Sequence, residues 1–256
     1  MSQAILFEMH GPVALITINR PEQRNAINSE VRLGLFDAWK RVEEDPAVRV
    51  AILTGAGDKA FCAGLDLKEA AATGLGNQVQ DRNFLPILGQ TIELSKPTIA
   101  AVNGAAFAGG WVFTQMCDLA IAADHVQFGI TEAKVGRGMP WAPPLINMIP
   151  QRILMELLLT ARPISARRAL ELGFVNELVP RDQLVDKALE LARCIAENAP
   201  LTVRAAREMV YLSTEMGRTA ALRASAAVFE SVYKSEDALE GPRAFAEKRK
   251  PVWKGR

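Results

Sequence analysis

Lys96–Asp118 reads KPTIAAVNGAAFAGGWVFTQMCD. Its first part, Thr98 to Val102, has the unbroken apolar character of a strand buried on both faces. Asn103-Gly104 marks a tight turn, and Gly109-Gly110 closes an Ala/Gly-rich loop that leads into an apolar helix. A glycine pair at the mouth of a helix brings backbone N–H groups close to an anion, because no Cβ blocks the approach and the first helical N–H groups have no partner within the helix. The same residues would suit a plain strand-to-helix connection whose glycines only pack, so the flanking sequence must decide.

Upstream, Val48 to Thr54 (VRVAILT) is a second continuous apolar strand, followed by GAGDKAFCAGLDLKE, Gly55 to Glu69. Gly55-x-Gly57-x-x-Ala60 after a strand matches the glycine part of a dinucleotide fingerprint. That reading fails on its other requirements. Phe61-Cys62-Ala63-Gly64 interrupts any helix, and Ala70 to Gly76 (AAATGLG) supplies neither a strand nor an acid for a ribose. What the two stretches share is a plan: buried strand, glycine turn, short Ala/Gly loop, helix. Two such loops at the ends of adjacent strands can aim two backbone N–H groups at one point, which is the arrangement of an oxyanion hole.

Further out, Ala14 to Ile18 is a β-rich run ended by Asn19-Arg20-Pro21. Asn28 or Ser29 caps a helix with apolar residues Val31, Leu35, Ala38, Trp39 and Val42 at helical spacing, which Asp45-Pro46 ends. After the glycine stretches the chain turns helical. Helices are expected over Arg152 to Thr160, from Ser165 to Gly173, from an Asp182 cap through Gln183 to Asn198, and twice more to about Tyr233. Phe174 to Val179 reads as a brief strand, and Ser235 to Pro242 as the lead into a last, basic helix.

The 256 residues are 49% hydrophobic and 23% charged, enough for one substantial core. Thirty Lys+Arg balance 29 Asp+Glu, so no global field draws the chain to nucleic acid or to a membrane surface. Three scattered cysteines and two histidines give neither a disulfide framework nor a zinc motif, and point to a reducing compartment. The opening MSQAILFEMHGPVALI has no basic leader and reads as strand. The expectation is a cytoplasmic protein.

FCAGLDLKE (Phe61 to Glu69), KPTIAAVNGAAFAGG (Lys96 to Gly110), MCDLAIAADHVQFGITEAKVG (Met116 to Gly136) and FAEKRKPVWK (Phe245 to Lys254) resemble, in this order, the crotonase superfamily, the enoyl-CoA hydratase/isomerase family. The resemblance runs from NRPEQRNAIN (Asn19 to Asn28) to the C-terminus. It implies an α/β crotonase (ClpP/crotonase-like) fold with a repeated ββα spiral core, residues 1–198, and a C-terminal helical region, residues 199–256, that forms trimers, often paired into hexamers. It also implies an acyl-CoA thioester substrate with no separate cofactor or metal, and a carbonyl polarised by the N–H groups of Leu65 and Gly109.

A typical hydratase of this family carries two glutamates. The resemblance places the second at Glu132; at the first this chain has Val112, which cannot transfer a proton. Glu132, with Thr131 or an upstream residue as helix cap and Val112, Phe128, Ile130 and Trp141 as apolar neighbours, is expected to have a raised pKa and to act as the single acid/base. One carboxylate suits double-bond isomerisation, which takes a proton from one carbon and returns it to another; hydration is the companion expectation. Thioester hydrolysis, decarboxylation and non-catalytic acyl-CoA binding are the alternatives. Asp118 and Asp124 read as turn residues.

The stretch GRGMPWAPPL (Gly136 to Leu145), stiffened by Pro140, Pro143 and Pro144, either brings Trp141 to line the acyl pocket, which is the expectation, or packs it under a surface loop. By motif position, Ala63, Leu65, Gly109 and Val112 adjoin the bound thioester. Arg24, Lys68 and Lys248 match positions near the CoA phosphates, with Phe245 near the adenine.

Overall fold

The computed structural model describes residues 3–74 and 84–256. Leu75 and Gly76, part of the stretch weighed for a ribose-binding acid, lie outside the described residues.

The chain opens with an antiparallel pair, β1 (Ile5–His10) and β2 (Val13–Ile18), joined at Gly11-Pro12. Helix α1 (Ser29–Glu44) follows; the Asn28 side chain accepts a hydrogen bond from the Val31 N–H, and Val31, Leu35, Ala38, Trp39 and Val42 form its buried stripe. The Val and Leu side chains among these contribute roughly 1.5–3 kcal/mol each on burial. The C-terminal end of α1 is met by Lys96, almost wholly buried, whose ammonium donates to the carbonyls of Val42 (2.7 Å) and Asp45 (2.6 Å). A cation at a helix C-terminus satisfies carbonyls that have no partner within the helix. The first residue of the stretch that opened the sequence reading therefore fastens the central sheet to α1.

Three similar turns of chain come next. Each contributes one strand to a six-stranded sheet and the next to a four-stranded sheet. The pairs are β3 (Val50–Gly55) with β4 (Ala60–Cys62), β5 (Thr98–Val102) with β6 (Ala105–Phe107), and β7 (Leu119–Ala123) with β8 (Gln127–Gly129). The first two turns continue into helices α2 (Leu67–Thr73) and α3 (Gly109–Gln115), the third into a 3₁₀ turn, Glu132–Val135. Helix α4 (Gln151–Thr160), β9 (Ile164–Ser165), α5 (Ala166–Glu171), β10 (Glu177–Val179) and α6 (Leu184–Ala196) complete this part.

The larger sheet runs β1-β2-β3-β5-β7-β10, parallel from β2 onward; the smaller runs β4-β6-β8-β9. Alternation along the central strands divides the core. Leu15, Ile52, Ile99, Ala101 and Ile121 face α6 through Leu184, Ala188, Leu189 and Ala192; Ile16, Leu53, Ala100, Val102 and Ala122 belong to the opposite core with α1, α3 and the second sheet. This is the repeated ββα spiral that was expected. It is an α/β fold, and it leaves the ends of β4 and β6 side by side.

The C-terminal part comprises α7 (Pro200–Glu215), α8 (Arg218–Tyr233) and α9 (Glu236–Ala246). Three expectations need correction. Residues read as an Ala/Gly loop after Asn103-Gly104 form strand β6, because the second sheet takes only three residues from each turn. Asp182 does not cap α6: it sits inside a 3₁₀ turn, Arg181–Gln183, and no side chain caps the helix. The Ser235–Pro242 lead is itself helical, with Ser235 capping α9 by accepting from the Ala238 N–H and Pro242 carried inside the helix.

Asp118 stands in the turn between α3 and β7, as expected, and also joins distant elements. It accepts hydrogen bonds from the Thr98 N–H (2.8 Å) and hydroxyl (2.9 Å), from Arg207 Nε (2.8 Å to Oδ1) and from the Tyr211 hydroxyl (2.8 Å). A residue read as a turn former thus binds the start of β5 to α7. Burial and the facing Asp118 carboxylate hold the Tyr211 phenol well above its ordinary pKa.

Candidate active site

Two loops meet where the ends of β4 and β6 come together. In the first, Gly64 takes φ +92°, a conformation that L side chains rarely adopt, and a Cβ there would stand 2.9 Å from the Ala108 Cβ and 3.3 Å from the Gly109 nitrogen. In the second, Ala108 itself holds φ +50° and ψ −110°, a strained turn for a residue with a side chain, immediately before α3. Gly110 packs so tightly that a Cβ would lie 2.1 Å from the Cys62 carbonyl oxygen. Close approach of the two backbones is what these residues achieve. The N–H groups of Leu65 and Gly109 follow the two tight turns, and neither makes a hydrogen bond among the described residues.

Surrounding backbone pairs fix the first loop: Ile27 N–H donates to the Gly64 carbonyl (2.8 Å), Asp66 N–H to the Ile27 carbonyl (2.9 Å), and Ala63 N–H to the Arg24 carbonyl (3.1 Å). Asp66 then caps α2, accepting from the Lys68 and Glu69 N–H groups, and pairs with Arg20 at 3.1 Å. Burial is the largest single influence on the Asp66 carboxyl and pushes it up, but the Arg20 hydrogen bond and charge, with the Glu69 and Lys68 N–H groups, together outweigh it and hold the carboxyl below the usual range. Asp66 is thereby committed to structure. Cys62 lies behind the loop, its thiol pushed up to about 12 by burial, with the Gly64 N–H partly opposing. It is an inert, neutral side chain at ordinary pH.

The loops open into a cleft of about 140 Å³ lined by Ala63, Leu65, Gly109, Val112, Glu132 and Trp141, together with Ile27, Leu67, Phe84, Leu85, Ala108, Thr131, Val135, Arg137 and Gly138. Six of the expected site residues are brought together here. Glu132 is 7% exposed, and burial raises its pKa; backbone N–H groups of Glu132 and Thr131 and the Trp141 indole N–H oppose the rise by favouring the anion. Glu132 Oε2 is buried with no hydrogen-bond partner among the described residues. Of the apolar neighbours expected for Glu132, Val112 and Trp141 share the cleft, whereas Phe128 and Ile130 are fully buried in the core. The Thr131 side chain does not cap the 3₁₀ turn.

Four expected residues do not line the cleft. Arg24 is exposed, in the left-handed conformation, and reaches the site only through its carbonyl bond to Ala63. Lys68 projects from the first turn of α2, and Phe245 (88% exposed) and Lys248 sit at the C-terminal end of α9. Sequence reasoning missed Gln115, the last residue of α3. It is buried and donates from Nε2 to the Trp141 carbonyl at 2.9 Å, so one helix carries Gly109 at its start and the Trp141 loop at its end. The signal was present: a lone amide ending a helix whose seven residues are all buried must find a partner.

A family model described as enoyl-CoA hydratase/isomerase matches residues 8–256. The chain belongs to the enoyl-CoA hydratase/isomerase family. Among similar sequences, a carnitinyl-CoA dehydratase of Citrobacter koseri is 41% identical, and the match covers all of both chains. Another from Salmonella arizonae is 41% identical, again with full coverage of both chains. Among solved structures, an enoyl-CoA hydratase from Mycobacterium marinum superposes with TM-score 0.91 at 39% identity. A probable enoyl-CoA hydratase/isomerase from Mycobacterium abscessus superposes with TM-score 0.89 at 40% identity, and both cover the chain completely. The fold is that of the crotonase superfamily, and the chain is an enzyme of this lyase and isomerase family. No helix among the described residues is long and apolar enough to cross a membrane.

Proposed function

We propose that this enzyme moves a double bond along an enoyl-CoA, with Leu65 and Gly109 N–H groups holding the thioester oxygen and Glu132 as the single acid/base. The observation that carries the reading is the pairing, in one cleft, of two closely approaching backbone loops with a buried carboxylate; Val112, also in the lining, stands where the resemblance would put the family's other glutamate. In a 3-enoyl-CoA, Glu132 takes a proton from C2. The electrons pass into the thioester carbonyl to give a dienolate whose oxygen accepts from the two N–H groups, and Glu132 returns the proton to C4 as the bond between C2 and C3 becomes double. Fixed donors in a site shielded from water stabilise that oxyanion far more than water would, since they need no reorganisation as charge develops. Burial supports the role of Glu132, because a carboxyl whose pKa is raised toward neutrality is both a competent base and a competent acid.

A second reading, elimination or addition of water, is favoured by the relatives named carnitinyl-CoA dehydratase. Glu132 would take the C2 proton of a 3-hydroxyacyl-CoA, and the enolate would expel the C3 hydroxyl with that same proton as water. The hydrophobic lining, with Trp141 on the proline-stiffened loop, suits an acyl group of low polarity. Phe245 and Lys248, which do not line the cleft, have their place in this proposal where copies associate through α7–α9, a region that exposes Tyr233, Leu239 and Phe245. The test is a panel of 2-enoyl-, 3-enoyl-, 3-hydroxyacyl- and cyclic enoyl-CoA thioesters, following double-bond migration and water exchange separately. Migration faster than hydration is expected. Hydration or dehydration alone would establish the second reading, and turnover of none of them would remove both.

A further inference from the structure

We infer that Asn25 is a positioning residue that orients the Leu65 N–H. Its buried amide fixes residues 24–27, whose backbone in turn holds the chain on both sides of Leu65. The inference rests on the proposed role of Leu65 as a donor to the thioester oxygen.

The step nearest the cleft is a pair of backbone hydrogen bonds. Ile27 N–H donates to the Gly64 carbonyl at 2.8 Å, and Asp66 N–H donates to the Ile27 carbonyl at 2.9 Å, which makes Ile27 and Leu65 a parallel bridge pair. In such a pair one residue spends its own N–H and carbonyl on the two neighbours of the other. The N–H of Leu65 is therefore turned away from Ile27 and left for a different acceptor, on a residue that lines the cleft.

Two residues before Ile27, Asn25 anchors this segment. Its side chain is fully buried; Oδ1 accepts from the Arg20 N–H at 2.9 Å, and Nδ2 donates to the carbonyls of Ala56 (2.9 Å) and Ala60 (2.7 Å). The orientation of the amide is fixed by chemistry, since the reverse would set its oxygen against two carbonyls and its nitrogen against an N–H. Ala60 is the first residue of β4, the strand that leads to Gly64. One side chain thus joins residues 24–27 to the start of the strand they flank. The bond from Ala63 N–H to the Arg24 carbonyl (3.1 Å) and the two bonds of Ile27 continue the same seam up to Leu65.

Two further observations mark the segment as held in place. Arg24 and Asn25 take φ +52° and +53° in succession, a left-handed pair that costs energy in residues with side chains and persists where the surroundings enforce it. Gly55, the first glycine of the fingerprint-like stretch, leaves room for the amide. A Cβ there would stand 2.5 Å from the Phe61 carbonyl oxygen and 2.7 Å from Asn25 Nδ2. The glycine that suggested a dinucleotide turn makes way for a side chain.

The experiment reads the thioester carbonyl itself. Butyryl-CoA, which has no double bond to move, is labelled with 13C at its carbonyl and bound to the full-length protein, where donors on the oxygen displace the resonance downfield of its free position. Asn25→Gly accepts the left-handed backbone and removes the three side-chain bonds; Asn25→Ser keeps one donor. In both, the downfield displacement is expected to shrink. Turnover of an enoyl-CoA is expected to fall by about 10–10²-fold in kcat with KM within a few-fold, because a donor moved by a fraction of an ångström stabilises the oxyanion far less. Asp118→Ala, which loosens β5 at the end remote from the Asn103-Gly104 turn, is the control for lost stability and is expected to keep the parent's displacement and kcat. An unchanged displacement in a folded Asn25 variant overturns the inference, and so does an equal loss in Asp118→Ala. Failure of both Asn25 variants to fold overturns it too, since the residue would then have a structural role alone. The parent reading fails in a different arm: no displacement in the unaltered protein would mean that no donor reaches the oxygen, and both statements would fall together.

Discussion

Replacing Gly109 by alanine tests the two-loop site at its tightest point. A Cβ on Gly109 would stand 2.5 Å from Ile27 Cδ1 and 3.3 Å from Gly64 Cα. Carbon atoms settle at about 3.5–4.0 Å, so the Ile27 methyl must withdraw by roughly 1 Å. Because it is the end of a side chain, it can do so without unfolding the protein. It cannot do so without cost to the cleft, which Ile27 lines, nor to the loop, since Ile27 N–H holds the Gly64 carbonyl at 2.8 Å. A displacement approaching 1 Å at an oxyanion donor is worth about 10²-fold, and loss of one donor about 10²–10³-fold. Gly109→Ala is therefore expected to fold, to bind the acyl-CoA with a KM within a few-fold of the parent, and to lose about 10²-fold or more in kcat. Gly110→Ala is the control. Its Cβ would meet the Cys62 backbone oxygen at 2.1 Å, which cannot yield, so that variant is expected to fail in folding rather than in turnover. A folded Gly109→Ala whose kcat lies within threefold of the parent refutes the placement of the oxyanion donor at Gly109.

Three further outcomes follow. Glu132 has a raised pKa in the folded state, so the folded protein holds this proton more tightly than the unfolded chain does. Its ionisation erodes stability as pH rises from about 4.5 through the raised value, and has no effect below. Glu132→Gln, which cannot ionise, should melt higher than the parent at neutral pH and with it at pH 3.5, in thermal scans. Asp118→Ala should lower stability by about 2–4 kcal/mol, the cost of stranding Arg207 and the start of β5, read as the shift of a urea midpoint at constant slope. Trp141→Ala should change the ratio of kcat/KM between short-chain and cyclic acyl-CoA substrates by about tenfold, and an unchanged ratio would remove Trp141 from the acyl pocket.

The parts of the fold legible in the sequence were those whose signal is local. Helix α1 shows its cap, its stripe and its stop within twenty residues, and β3 and β5 show unbroken apolar runs. Strand β6 did not show itself, because Ala105-Ala106-Phe107 is too short to alternate and its strand character comes only from its neighbours β4 and β8. The wider role of the turn residue Asp118 did not show, because its partners stand 20, 89 and 93 residues away in sequence, at Thr98, Arg207 and Tyr211. At the site, the glycine loops could be read because a backbone that must approach another leaves glycines behind. The Gln115 amide could be read as needing a partner but not which one, because its acceptor is a backbone carbonyl that carries no side-chain identity.

The central claim is that one carboxylate carries the proton. Its most direct test is the rate of double-bond migration in a 3-enoyl-CoA by Glu132→Gln beside the parent, with binding of a non-reactive acyl-CoA measured on both. The amide keeps the shape of the cleft and removes the base, so the account predicts a fall in kcat of about 10²–10⁴ with binding unchanged. Migration at the parent rate in Glu132→Gln would contradict it.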